Sequence, residues 1–187
     1  MPRHSRLASL AVLSLAVFAL TLGATSARAD DSKPPTKPPC SAPEHRQFDF
    51  WLGEWEVRYP AGKVVGRNVL RSLHKGCVML ESWTGAGGFS GSSLNVYDAD
   101  RKKWHQTWVD SGGGLLTLKG GQSDGKMVLT GEVVGAGKPG EVTLNRITWQ
   151  PLSDGRVRQL WEASPDKGRP WKMALTGVTR SGNNADP

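Results

Sequence analysis

The sequence predicts an all-β fold: an antiparallel up-and-down β-barrel of about eight to ten strands, entered through a short N-terminal helical plug. Three observations carry this. From Glu54 onward, short runs rich in Val, Leu, Trp and Thr are bounded by Gly, Asp, Ser and Pro, which is the pattern of strands and turns. The connections are short, and short connections favour antiparallel pairing of neighbours. A meander of this many strands carries two bare edges unless the sheet closes on itself, and closure leaves room for side chains or one small ligand. A two-sheet sandwich is the competing architecture. The chain has no internal repeat of the kind that marks a propeller.

Residues 1–29 read as a secretory signal peptide. Arg3, His4 and Arg6 give a positive start, Leu7 to Leu22 is apolar or small, and Ala27-Arg28-Ala29 forms a cleavage site. The apolar run is too short for a stable membrane span. Cys40 follows Lys37-Pro38-Pro39, which is not the apolar setting of a lipidated cysteine. The expectation is a soluble exported protein, periplasmic or secreted, that begins at Asp30 and does not span a membrane. Residues 30–43 are a Pro-rich tether, 44–181 form the barrel domain, and 182–187 are a frayed tail.

The chain of 187 residues has a formal charge of +7. Loss of the three arginines in residues 1–29 leaves 21 basic against 17 acidic residues, a net of +4. The basic residues are scattered, which argues against a nucleic-acid partner. The two cysteines, Cys40 and Cys77, both lie in the exported part, so an oxidising compartment makes a disulfide between them the expected state. No cluster of histidines accompanies them, as a zinc site would require.

The elements follow in order. Phe48, Phe50 and Trp51 crowd into four positions ahead of Leu52, Gly53 and Trp55. This is a short helical turn that leads through Gly53 into the first strand, the glycine permitting a sharp bend. Strands are expected at 55–59, 64–72, 77–84, 92–97, 103–110, 115–119, 126–134, 141–150, 156–164 and 171–179. The clusters Gly112–Gly114 and Gly120-Gly121 read as turns rather than phosphate-binding loops.

Gly53-x-Trp55 resembles the element that begins the first strand of lipocalin-type (calycin) barrels. That resemblance implies a tryptophan closing the barrel floor, with Arg180 from the last strand packed over it in a cation–π contact. More of the chain is similar to a family of small exported bacterial proteins with a lipocalin-like domain of unknown function. The similar pieces are Phe48 to Trp55, Glu81-x-Trp83, Asn95-x-Tyr97-Asp98, Lys103-Trp104-x-Gln106-x-Trp108-x-Asp110 and Arg146-x-x-Trp149. The resemblance implies a barrel and no particular activity. Ser164-x-Asp166-x-Gly168-x-x-Trp171 resembles an Asp-box hairpin, which implies a structural turn. Trp51, Gly53, Trp55, Ser164, Asp166, Gly168, Trp171 and Arg180 are therefore expected to be structural.

Alternation supplies candidate binding residues. Trp104, Gln106, Trp108 and Asp110 share one strand face, as do Glu81 and Trp83, Asn95 and Tyr97, Arg146 and Thr148, and Gln159 and Trp161. Each set mixes a large aromatic or neutral polar group with a charged or polar one. A lumen lined in this way suits a small ligand; the competing reading turns these faces to solvent. Glu81, Trp83, Tyr97, Gln106, Trp108, Arg146 and Gln159 are the expected ligand-binding residues. Glu81 and Arg146, both inward, would pair with each other or with a ligand.

No metal or other cofactor is expected. A haem-binding barrel of the nitrobindin type would need an inward histidine, and alternation turns His105 away from the lumen face. No nucleophile-elbow signature supports a Ser-His-Asp triad, and no catalytic residue is assigned. The function expected is binding of a small, partly apolar molecule with an anionic or carbonyl group, held by Arg146. Two alternatives stay open. One is a lipocalin-like isomerase or decarboxylase using Glu81, Tyr97 and Arg146. The other is a filled barrel acting as a structural or interaction module. The ligand's identity and the oligomeric state are not encoded in any motif.

Overall fold

The computed structural model describes residues 37–134, 140–165 and 172–181, the last of these by its backbone and the side chain of Met173. The expected signal peptide, most of the tether, the tail, and the Asp-box members Asp166, Gly168 and Trp171 lie outside the described residues.

The fold is all-β and antiparallel. Ten strands follow two short 3₁₀ turns, Pro43–Arg46 and Asp49–Trp51. They are β1 (Gly53–Arg58), β2 (Val64–Leu73), β3 (Val78–Gly85), β4 (Ser90–Asp98) and β5 (Lys103–Asp110), then β6 (Leu115–Ser123), β7 (Lys126–Val134), β8 (Val142–Pro151), β9 (Val157–Ser164) and β10 (Lys172–Ser181). Each strand pairs with its sequence neighbours, and β1 pairs with β2 on one side and β10 on the other. The sheet is therefore curled, with an inner and an outer face.

Side-chain alternation sorts the residues between those faces. Trp55 and Val57 of β1 are buried, as are Asn68 and Leu70 of β2, Met79 and Glu81 of β3, Ser93 and Asn95 of β4, and Trp104 and Gln106 of β5. Leu116 and Leu118 of β6, Met127 and Leu129 of β7, and Asn145, Ile147 and Trp149 of β8 continue the inner face.

One end of this interior is filled by aromatic side chains. Phe48 and Trp51 are fully buried. The Phe48 ring stacks on Trp51 at 5.1 Å and meets Trp149 edge-on at 5.1 Å and Trp104 at 5.6 Å. Trp51 also lies 5.1 Å from Trp149. Gly53 turns the chain from this plug into β1 with φ of 123°, a conformation that favours glycine. The turn lets the Trp55 indole N–H donate to the Trp51 carbonyl at 2.8 Å. The Trp104 indole likewise donates to Gln47 Oε1 at 3.2 Å. Cys40 and Cys77 are joined, with their Cα atoms 5.1 Å apart, and Arg46 donates to the Gly76 carbonyl. Both ties fasten the lead-in segment to the β2–β3 turn at the same end.

One sequence expectation needs correction. Gly120 and Gly121 are not a turn: β6 continues through them to Ser123. A Cβ on Gly120 would stand 2.0 Å from the Val128 carbonyl oxygen, so the glycine permits close backbone approach. The register sets Ser181 opposite Trp55 and Arg180 opposite Glu56; the Arg180 side chain, on which the expected contact with Trp55 turns, lies outside the described residues.

The Cys40–Cys77 bond closes a span of 37 residues. Replacing both cysteines with alanine is expected to lower unfolding free energy by about 3–4 kcal/mol, measured by urea denaturation. An unchanged midpoint would contradict the bond's role as a staple.

Candidate functional site

The half of the interior away from the plug is hollow. A cavity of about 240 Å³ is lined by Val57, Asn68, Glu81, Trp83, Phe89, Gln106, Trp108, Leu116, Ile147, Trp149, Gln159 and Trp161. Four indoles thus share one space with a carboxyl group, three amides and several aliphatic side chains.

Glycines on the neighbouring strands make room for two of the indoles. A Cβ on Gly66 of β2 would stand 2.6 Å from the Trp83 ring. One on Gly91 of β4 would stand 2.2 Å from the Trp108 ring. Each indole leans along its own strand onto a bare backbone. Trp108 is further fixed by its N–H, which donates to Asp110 Oδ2 at 3.0 Å. Asp110 in turn accepts the backbone N–H groups of Gly112 (2.9 Å) and Gly114 (3.0 Å) and so holds the β5–β6 turn. The Gly114 amide, then the Trp108 indole, keep the Asp110 carboxyl below the usual carboxylate range.

The polar centre is Glu81, only 5% exposed. Asn68 Nδ2 donates to one carboxyl oxygen at 2.8 Å and Ser93 Oγ donates to the other at 2.6 Å. Behind them, Asn95 Nδ2 and Gln106 Nε2 reach Ser93 Oγ at 2.9 and 3.3 Å, and Gln106 Nε2 donates to Asn95 Oδ1 at 2.9 Å. Every partner in this network is neutral. Burial raises the Glu81 pKa, and the two hydrogen bonds offset part of the rise. Two buried polar atoms of lining residues have no hydrogen-bond partner among the described residues: the Asn68 side-chain oxygen and the Trp149 indole nitrogen. Buried groups of this kind cost about 1–3 kcal/mol each when left unsatisfied.

Five of the seven expected binding residues, Glu81, Trp83, Gln106, Trp108 and Gln159, line this cavity. Arg146 does not. It lies on the face opposite Asn145, Ile147 and Trp149, and its Nε stands 2.9 Å from Glu162 Oε2 on β9. The reason is strand parity: Arg146 and Trp149 are three positions apart, so they cannot share a strand face. Tyr97 does not line the cavity either. It sits toward the plug, 5.1 Å from His45 and 6.0 Å from Trp104. The grouping of Glu81, Tyr97 and Arg146 as acid, proton donor and carboxylate clamp is thereby undone.

Asn68, Phe89 and Trp149 are among the lining residues outside the expected set; Trp161 lies on the face expected for Gln159, and Ser93 reaches the site only through Glu81. Asn68 had a signal: it alternates with Gly66 and Leu70, as an inner-face residue should. Phe89 lies in a turn, where alternation gives no face. Among the described residues no group of three or more His, Cys, Asp or Glu side chains is placed to hold a metal ion. No helix among them is long and apolar enough to cross a membrane. In comparisons with known proteins, no family model and no curated sequence matches the chain.

Glu81 dictates a pH dependence. A carboxyl whose pKa is raised by folding binds its proton more tightly in the folded state, so its contribution to stability is full below the ordinary value of 4.5 and is lost as pH rises through the folded-state pKa. Thermal unfolding of Glu81→Gln is therefore expected to lose less stability than wild type between pH 4.5 and neutrality. Parallel pH profiles for the two proteins would contradict the buried, cation-free carboxyl.

Proposed function

We propose that this protein is an exported, lipocalin-like barrel that binds a small, largely apolar molecule non-covalently in the cavity beside Glu81. The observation that carries the reading is the cavity itself: about 240 Å³, walled by four indoles and aliphatic side chains, with a few convergent polar groups. Sites for small molecules have this composition, apolar walls giving affinity and a few polar groups giving orientation. The unsatisfied Asn68 oxygen supports it further, because a ligand donor would complete that group. Export is supported by the signal-like residues 1–29 and by the Cys40–Cys77 bond.

The positions of Arg146 and Tyr97 remove the support for an anion held by Arg146, and with it the support for an isomerase or decarboxylase built on those groups. A solid interior acting only through its outer surface is disfavoured by the same cavity.

A neutral hydrophobic fluorophore such as N-phenyl-1-naphthylamine is expected to bind saturably, with energy transfer from tryptophan. Trp108→Ala should weaken that binding about tenfold, the loss of a large aromatic contact, whereas Tyr97→Phe should leave it unchanged. Absence of saturable binding, or equal effects of the two substitutions, would contradict the assignment.

A further inference from the structure

Among the described residues, the only ionisable side chain lining the cavity is Glu81; the other eleven are apolar, aromatic or amide. We infer that the ligand is a cation, a protonated amine carried on an apolar body, with its ammonium group seated between Glu81 and Asn68 among the indoles. This rests on the proposed binding role and specifies its ligand class.

Three features of the geometry converge on that charge. The first is that Glu81 is buried with no cation beside it among the described residues: the hydrogen bonds to its oxygens come from Asn68 and Ser93, and the network behind Ser93 consists of the amides of Asn95 and Gln106. Nothing charged faces Glu81 from the strands that flank it. On β2 the inner positions are Gly66, Asn68 and Leu70, and on β4 they are Gly91, Ser93 and Asn95. The carboxylate is desolvated by folding, so an incoming ammonium loses only its own water and gains an uncompensated opposite charge. The second is the Asn68 side-chain oxygen, a buried acceptor without a hydrogen-bond partner among the described residues, on the amide whose nitrogen donates to Glu81 at 2.8 Å. An ammonium carries several N–H donors and can serve both residues. The third is the wall. Trp83, Trp108, Trp149 and Trp161 line the same space, and indole is the side chain that attracts cations most strongly through its π-system. Val57, Phe89, Leu116 and Ile147 are left for the apolar body. An anion would find no cation to hold it among the described lining residues, and a neutral alcohol would gain no charge–charge attraction from Glu81 in either protonation state.

The inference has a proton-linked consequence. Burial favours the protonated form of Glu81, and an ammonium favours the ionised form. Binding must therefore release a proton wherever Glu81 is still protonated. Affinity for a cation should fall by about tenfold per pH unit below the folded-state pKa of Glu81, and level off above it.

The test compares three probes of one shape, hexylammonium, 1-hexanol and hexanoate, by titration calorimetry of the full chain between pH 5 and 8, where the amine stays charged. The expected result is hexylammonium binding at least about tenfold tighter than hexanol at pH 8. That advantage should shrink as pH falls and disappear in Glu81→Gln. The pH dependence is read in wild type, so it stands even if the variant folds poorly. Hexanol binding as tightly as hexylammonium, or hexanoate binding tightest, would overturn the ligand class while leaving the cavity a binding site. Failure of all three probes to bind would overturn both readings.

Discussion

The aromatic plug is the constraint on which the remaining structure depends. Phe48 and Trp51 are packed among Trp104 and Trp149, and they fill the part of the interior that the strands' own side chains leave unoccupied. A curled sheet of ten strands has more inner volume than Leu, Met and Val alone can fill at native density. Phe48 and Trp51 fill one end, while Trp83, Trp108 and Trp161 line the cavity without filling it. Gly53, the Cys40–Cys77 bond and the Gln47–Trp104 hydrogen bond then hold the plug in place. The cavity follows from the filling of the opposite end.

Within the cavity, charge decides more than shape. A sheet interior built only for packing would not retain a buried carboxyl with neutral partners, since such a group costs several kcal/mol unless it is neutralised or paired. The relay from Glu81 through Ser93 to Asn95 and Gln106 satisfies its geometry but not its charge. Arg146, the one cation that sequence reasoning had placed inside, pairs with Glu162 on the outer face. The interior is therefore acidic where an anion site was expected, and this reversal rests on a single step of strand parity.

The fold was largely legible in the sequence, because alternation, turn residues and short connections all agree on an antiparallel meander. Each expected strand run meets an observed strand. The error at Gly120-Gly121 arose because a glycine that permits close approach of two backbones looks the same in sequence as one that makes a turn. The site was legible where two good residues share a parity, as in Glu81 with Trp83 and Gln106 with Trp108. It failed on β8, where the parity expected to face inward, Arg146 with Thr148, is the outer one, and Asn145, Ile147 and Trp149 are buried. It failed again where depth along a strand mattered: Tyr97 has the right face but lies at the plug end. Alternation reports the face of a residue and says nothing of its height in the sheet. Long-range partners such as Asn68 and Ser93 depend on register, which a single strand's sequence does not contain.

The central claim is that Glu81 is a buried carboxyl facing a cavity, with no cation beside it among the described residues. Its protonation is most directly followed by the carboxyl ¹³C chemical shift of glutamate-labelled protein through a pH titration, with the Glu81 signal identified by its absence in Glu81→Gln. The account predicts a titration midpoint above that of an ordinary glutamate, displaced downward when hexylammonium is added. A midpoint in the ordinary range that an amine does not move would contradict it.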